Sequence, residues 1–330
     1  SIDLVCTKST LFSGPVTISF DMYNETTGAK IGTLKKTVEL NVKPAGINYL
    51  ACLNKKGEDV QVLDQANADN AYQFTIIGYD KYSNVVNEAT TAIGYTLTPP
   101  SGKVGTTISK NTDYTFTVKL NPIYAGKYTV SGAKFKKTYE FTSIPGAPFA
   151  PHSLLITPTK ATAGQTVQAY VIPYDKNNNL ITPSGTTPYN AVYHYTDNGK
   201  DSPDIKITPK GIGTVTYDGK SYSAYQYEQQ LTKRDDNYFE ASIGTAKCKC
   251  VTCKVTVAPT DMDFKGSEYM RYDPQLNMFV DIVNGVAEDN KNVDAIYRIV
   301  PYDQYGNKID SLTDISGYTC TLTNTIQTSV

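Results

Sequence analysis

The feature that most constrains this chain is that its two ends read as the missing halves of one domain. Residues 11–18, LFSGPVTI, match 123–130, IYAGKYTV, place for place, and KKTVEL at 35–40 matches KKTYEF at 136–141. The first 44 residues therefore read as the second half of a repeat, and the last 70 as a first half. Asp80 precedes Gly94, Tyr95 and Thr96 by the interval that separates Asp303 from Gly317, Tyr318 and Thr319. In the complete copy Gly94 lies 19 residues before Asp113, and joining Val330 to Ser1 would place Gly317 about 16 residues before Asp3. Each half alone would leave an apolar face uncovered and strand edges unpaired, a condition that proteins avoid or use for pairing with another chain. Two completions are open: another copy docking head to tail, or one continuous tandem polyprotein.

Looking for self-similarity organises the rest. YQFTIIGYDKYSN at 72–84, VQAYVIPYDKNNN at 167–179 and IYRIVPYDQYGN at 296–307 are each an alternating strand that ends in a turn. Period-two spacing puts Phe74, Ile76 and Gly78 on one face. The turns open at Asp80, Asp175 and Asp303 and close at Asn84, Asn179 and Asn307, where Asn is expected to take a left-handed backbone. Pro- and Gly-bearing stretches, KPAGI at 43–47, IPGAPFAP at 144–151 and APTD at 258–261, read as linkers. The expected domains are 1–45, the second half of a repeat; 46–149 and 150–258, complete repeats; and 259–330, a first half completed by residues 1–45 of a neighbouring copy. Repeats of this length suit a sandwich of seven to nine strands.

Composition agrees with an all-β chain: 26 Tyr, no Trp, and abundant Thr, Val and Ile, the residues that fit pleated, half-buried surfaces. A formal charge of −1 and only three Arg (Arg234, Arg271, Arg298) argue against nucleic acid or a charged membrane surface as partner. No apolar run is long enough to span a bilayer, and a chain starting at Ser1 without a hydrophobic leader is expected to be a processed or excised piece. Six cysteines, Cys6, Cys52, Cys248, Cys250, Cys253 and Cys320, point to an oxidising, extracellular or cell-surface setting. Asn24-Glu25-Thr26 is an N-glycosylation acceptor triplet, placed where the first copy carries about 11 extra residues, so a protruding hairpin tip is expected there. The Thr-rich surface is a further expected place for glycans.

YAGKYTVSGAKF followed by IPGAPF resembles the end of filamin-type immunoglobulin-like repeats. The match lies on Gly126, Tyr128, Ile144, Pro145, Gly146, Pro148 and Phe149. The Tyr-Asp-x-x-x-Asn turns also look like those of filamin repeats and of bacterial invasin-like repeats. The resemblance implies tandem immunoglobulin-like β-sandwiches, with half-repeats at both chain ends here, and a spacer or docking role without enzyme activity. The cysteines, the acceptor triplet and the lack of an actin-binding domain depart from cytoplasmic filamins.

Residues that could carry chemistry have plainer readings. His152 lies in a Pro-rich linker and His194 in VYHYT, neither beside a nucleophile in an elbow. Asp235-Asp236 reads as a solvated turn, and GIGTV at 211–215 lacks the Lys of a phosphate loop. In CKCVTC a fourth zinc ligand is missing, which favours disulfides. Cys248 and Cys250 share a strand face, a turn could bring Cys253 opposite one of them, and the third could reach Cys52. Cys6 and Cys320 align with strands of one sandwich and are expected to pair across the junction, adding on the order of 2–4 kcal/mol. The oxygen-rich turns fit no defined calcium loop. Tyr217, Tyr222, Tyr225 and Tyr227 could face sugars or a neighbouring subunit, and strand alternation accounts for them equally well. No catalytic, cofactor or metal residue is expected. The expected role is a structural repeating unit of an extracellular filament whose partners are other copies of itself, head to tail. The alternatives are a surface adhesin for a glycan or protein receptor and a cytoplasmic filamin-like scaffold.

Overall fold

The computed structural model describes residues 12–197, 199–282 and 294–310. Two compact units result, Ser1–Gly146 and Ala147–Val330.

The first unit opens with a hairpin of β1 (Phe12–Tyr23) and β2 (Lys30–Val42). A sandwich follows, made of β3 (Tyr49–Leu53), β4 (Ala66–Asn67), β5 (Tyr72–Tyr79), β6 (Thr96–Thr98), β7 (Thr106–Lys110), β8 (Phe116–Leu120), β9 (Gly126–Ser131) and β10 (Tyr139–Ile144). One sheet runs β3-β5-β8-β7 and the other β4-β10-β9-β6. This is the strand order of immunoglobulin domains, in which the first, second, fifth and fourth strands face the third, sixth and seventh. The short β4 adds in parallel to β10, pairing Ala66 with Ser143 and Asn67 with Ile144.

Alternation builds the core. Tyr72, Phe74 and Ile76 on β5 and Tyr139, Phe141 and Ser143 on β10 turn inward, meeting Phe116, Val118, Tyr128 and Val130. The Tyr128 and Phe141 rings stack 4.7 Å apart. The Tyr128 hydroxyl donates to Tyr124 O at 3.0 Å and accepts from Tyr124 N at 3.2 Å, the tyrosine corner that pins the start of the sixth strand in immunoglobulin-like sandwiches.

In the second unit the sandwich comprises β11 (Leu154–Ile156), β12 (Lys160–Thr162), β13 (Thr166–Ile172), β14 (Asn190–Asp197), β15 (Lys200–Asp201), β16 (Ile205–Lys206), β17 (Pro209–Tyr217), β18 (Lys220–Gln230), β19 (Asp235–Ile243), β20 (Ala246–Lys247), β21 (Lys249–Thr252) and β22 (Lys254–Ala258). Its sheets, β17-β18-β13-β11-β21 and β12-β22-β19-β14-β15, repeat the same order with additions at the edges. The last strand changes sheets at Cys253: β21 runs parallel to β11, and β22 lies between β12 and β19. Where the first sandwich uses Tyr128, this one uses buried Asn237, whose Nδ2 donates to Lys233 O, also four residues back, at 3.0 Å.

Beyond it lie β23 (Glu268–Asp273), β24 (Met278–Asp281) and β25 (Tyr297–Val300), in the order β24-β23-β25. These strands correspond to the start of a further sandwich. The fold is therefore all-β, with tandem immunoglobulin-like sandwiches and part-sandwiches flanking them.

Candidate functional site: uncovered half-sandwiches and the turns at their joints

Residues directly opposite on an antiparallel pair share a face. In the β1/β2 hairpin Val16 lies opposite Val38, Phe20 opposite Leu34 and Gly14 opposite Leu40. With Ile18 and Met22 these make one apolar face, interrupted by Lys36 opposite Ile18. By sequence match, Val16, Ile18, Val38 and Leu40 stand where Tyr128, Val130, Tyr139 and Phe141 stand in the first sandwich. Those four are at most 1% exposed, yet here Val38 is 37%, Leu40 36%, Phe20 37% and Leu34 61% exposed. Gly14 and Gly126, the glycines that begin the matching stretches, share a positive φ, 151° and 129°. The register differs by two: Val16 faces Val38, whereas Tyr128 faces Phe141, the counterpart of Leu40. A slip of two keeps each side chain on its face.

A second open face lies on β23 and β25. Tyr297 and Ile299 take the places of Phe74 and Ile76, which are 4% and 0% exposed, but are themselves 47% and 42% exposed. Ile299 lies opposite Tyr269, and Tyr297 opposite Arg271. The hairpin thus presents the inner face of a sandwich's last two strands, and β23/β25 that of its first two.

The three Asp turns share one construction. Asp80 Oδ1 accepts from the backbone N of Tyr82 (2.8 Å) and Asn84 (2.9 Å), and Asn84 Nδ2 reaches Oδ2 at 3.0 Å. Asp175 does the same with Asn177 and Asn179, and Asp303 with Tyr305 and Asn307. Burial pushes the Asp80 carboxyl upward, but the donors from Asn84, Tyr82 and Ala45 outweigh it and hold the group below its ordinary value. The expected left-handed Asn is corrected by one position. Positive φ falls on Ser83, Asn178 and Gly306, because the Asn side chain must turn back onto the Asp carboxylate. With N–H donors taking up Asp80, Asp175 and Asp303 in this way, the turns are held by hydrogen bonds, and among the described residues no group of three or more His, Cys, Asp or Glu gathers as a metal-ligand set.

These turns also tie joints together. Asp80 Oδ2 accepts from Ala45 N at 3.4 Å, and Asp303 Oδ2 from Thr260 N at 3.1 Å, so each carboxylate holds the linker that enters its own domain. Within the second unit Asn307 reaches further: its Nδ2 donates to Thr232 O (2.8 Å) and its Oδ1 accepts from Arg234 N (2.9 Å). Arg234 Nη1 pairs with Asp310 at 2.9 Å and donates to Lys308 O. This clamp was not foreseen from sequence. Its one sequence signal is a Tyr at the third turn position, Tyr82 and Tyr305, where the middle turn has Asn177.

The cysteines divide. Cys250 and Cys253 form a disulfide with Cα atoms 5.7 Å apart, bridging the point where the last strand changes sheets. Cys52 and Cys248 are free thiols, which corrects the expected link from CKCVTC to Cys52. Cys52 is fully buried on β3, in the core of the first sandwich, and Cys248 packs against the core of the second. Burial pushes the Cys52 thiol well up, and the Cys248 thiol up to about 12. Cys6 and Cys320 lie outside the described residues.

His152 Nδ1 contacts Asp175 O at 3.1 Å, and His194 stacks on Tyr238 with centroids 5.3 Å apart. Asp236 is engaged by Lys254 at 2.9 Å. Tyr225 and Tyr227 are buried, 4% and 0% exposed, and so are not available to a sugar or neighbour; Tyr217 and Tyr222 lie on the outer side of their sheet with Tyr170. Asn24 is exposed at the hairpin tip, its Oδ1 accepting from the backbone N of Thr26 and Thr27 at 2.9 Å each.

No family model matches the chain, and no curated protein matches it. Among solved structures it is similar to FdeC, an Escherichia coli adhesin, at 12% identity over 76% of this chain and 87% of that one, with a TM-score of 0.40. Similarity to invasin, a bacterial integrin-binding protein, is 15% identity over 77% of this chain and 61% of that one, with a TM-score of 0.39. For the titin I-band fragment I67–I69 the figures are 12%, 76%, 75% and 0.28.

Proposed function

We propose that the chain is a structural repeating unit of an extracellular filament or surface fibre, joined head to tail through a shared or continuous immunoglobulin-like domain. The observation that carries this reading is the pair of open faces. One end offers the inner face of the last two strands of a sandwich, the other that of the first two, and each would cover what the other leaves bare. Strand edges favour the same union. In both complete sandwiches the counterpart of β2 is flanked by a short parallel strand, β4 beside β10 and β12 beside β22. Among the described residues β2 pairs with β1 alone, leaving an edge for strand addition.

The extracellular setting is supported by the Cys250–Cys253 disulfide and by Asn24, which stands exposed at the hairpin tip as a glycan acceptor would. The filamin-type ending at Ile144–Phe149 fits a spacer whose repeats are joined by short Pro- and Gly-bearing linkers.

Covering Phe20, Leu34, Val38 and Leu40 is worth about 3–4 kcal/mol, scaling the roughly 2 kcal/mol of a fully buried apolar side chain by the exposures above. A charge set into that face costs several kcal/mol more. Val38→Asp, at a half-exposed position of the isolated chain, is therefore expected to fold and to lose association by about a thousandfold or more. Sedimentation velocity of the 330-residue chain over a concentration series measures this. Equal association of the variant and the parent would sink the proposal.

A further inference from the structure

The outer edge of β23 is already taken. β24 lies on it antiparallel, opposite Met270 to Asp273, and Ile282 N donates to Tyr269 O at 2.9 Å. In the two complete sandwiches a different segment holds this place. β11 corresponds to β23 residue by residue: Ser153 Oγ accepts from Tyr174 N at 3.1 Å and Ser267 Oγ from Tyr302 N at 3.0 Å, just ahead of Leu154 and Glu268. The far edge of β11 is covered by β21, the leading part of the last strand, which runs parallel to it with Leu155 opposite Cys250. Tyr269, the counterpart of Leu155, meets the β24 segment instead. In the first sandwich the same edge is met by the residues that lead into β10: Leu50 N donates to Lys134 O at 2.9 Å, and Leu50 pairs with Phe135 in parallel.

Because KKTVEL matches KKTYEF, Thr33 and Leu34 of β2 stand where Lys134 and Phe135 stand. Phe135 packs against the first core, its ring centroid 5.8 Å from that of Tyr139, whereas Leu34 is 61% exposed. β24 is lightly held. None of its residues is buried, and its ring contacts lie on the outer face, where Phe279 meets Tyr272 edge-on with centroids 5.4 Å apart and the Arg298 guanidinium lies 3.6 Å from the Phe279 centroid. A bare β23 edge would be a template for indiscriminate pairing, and a short strand laid over it prevents that.

We infer that β24 is a guard strand: it holds the edge of β23 that Thr33 and Leu34 of a second copy take in the joined domain, and it leaves that edge when the copy docks. This rests on the head-to-tail reading and adds to it a strand that must move. Ladder hydrogen bonds are exchanged one kind for another, with parallel pairing slightly the weaker, so burial decides the balance. Leu34 gains cover, and β24 has no buried side chain to lose.

The test uses the full chain. Ile282 and Tyr269 form a hydrogen-bonded pair, so Val280, two residues before and opposite Arg271, also turns its N–H to β23, and Val280→Pro removes that donor. Releasing the guard in this way should tighten association about tenfold in sedimentation over a concentration series. Tyr272 and Phe279 face each other in the intervening non-hydrogen-bonded pair, whose spacing suits a disulfide, so Tyr272→Cys with Phe279→Cys locks β24 in place, the link being checked by peptide mass. The locked variant should associate about tenfold more weakly than the parent and recover on reduction, with the parent measured alongside with and without reductant. In hydrogen exchange, assembly of the parent should cost the β24 amides protection while the Leu34 amide gains it. If the parent associates and Val38→Asp does not, but the locked variant associates like the parent and β24 keeps its protection in the assembly, the guard is refuted and the head-to-tail reading stands. If neither the parent nor Val280→Pro associates, both are overturned.

Discussion

Asn307→Ala is the sharpest probe of how the domains are coupled. Asn307 is 4% exposed and makes three side-chain hydrogen bonds: Nδ2 to Asp303 Oδ2 and to Thr232 O, each 2.8 Å, and Oδ1 from Arg234 N at 2.9 Å. Two of the three cross the joint. Each buried bond contributes about 1 kcal/mol, so losing the two that cross the joint should cost it about 2 kcal/mol, a rise of roughly 30-fold in the population of the opened joint. Because several domains share one chain, a single global unfolding energy is not well defined, and the readout must be local. Native-state hydrogen exchange by mass spectrometry supplies it. Peptides holding Arg234 N and Thr260 N should exchange roughly 30-fold faster, while peptides from β13 and β19 in the core of the second sandwich hold their protection. A change under about threefold at the joint would refute the clamp, given the magnitude above. Acceleration spread evenly through the sandwich would also refute it, since Asn307 would then be supporting the domain and not the joint.

Two further outcomes follow from local chemistry. Tyr128→Phe removes the hydroxyl that bonds Tyr124 O and N, and should destabilise the first sandwich by about 1–2 kcal/mol, read as a lower midpoint for exchange of β9 and β10 amides in a denaturant series. Asp236 is held below its ordinary value of 3.8 chiefly by the Lys254 hydrogen bond, against burial and with help from Thr256. A depressed carboxyl stabilises the fold above 3.8 and loses that contribution as pH falls through its folded value. Asp236→Asn should therefore melt lower than the parent at pH 6 and converge with it in acid; a constant gap down to pH 2 would contradict the assignment.

Much of the fold was legible because β-strands alternate. The period-two pattern of 72–79 places Phe74 and Ile76 on one face, and the structure buries both. The Gly-x-Tyr of Gly126 and Tyr128 marked the sixth strand, where Tyr128 makes its corner. Other features depend on neighbours distant in sequence. Parity separates Tyr225 and Tyr227 from Tyr222, but nothing local says which of the two faces is the inner one; the structure turns Tyr225 and Tyr227 inward and Tyr222 outward. Asn237 does the work of Tyr128 through a backbone carbonyl four residues back, a role that a different side chain conceals. The change of sheet at Cys253 and the reach of Asn307 to Thr232 are products of tertiary packing, with only the repeated Tyr of the turns as a hint. Even the turn signature misled by one residue, because an Asn after Asp suits both a left-handed backbone and a side chain folded back on the carboxylate, and geometry permits only the second.

In the proposed fibre, dividing a domain between copies places the subunit boundary where a sandwich is strongest. A joint of the Asn307 kind rests on a few hydrogen bonds and one ion pair and is worth a few kcal/mol. Parting a complete sandwich between its first two and last two strands would instead uncover residues such as Leu50, Phe74 and Ile76 on one side and Tyr128, Val130, Tyr139 and Phe141 on the other, all 4% exposed or less. At roughly 2 kcal/mol for each buried apolar side chain, that separation costs well over 10 kcal/mol. Were the boundary at a linker instead, the subunits would be held together by the weaker class of contact. With it inside a domain, the contacts that give way first lie within a subunit, at the turns, where the linker keeps the parts connected and the clamp can close again.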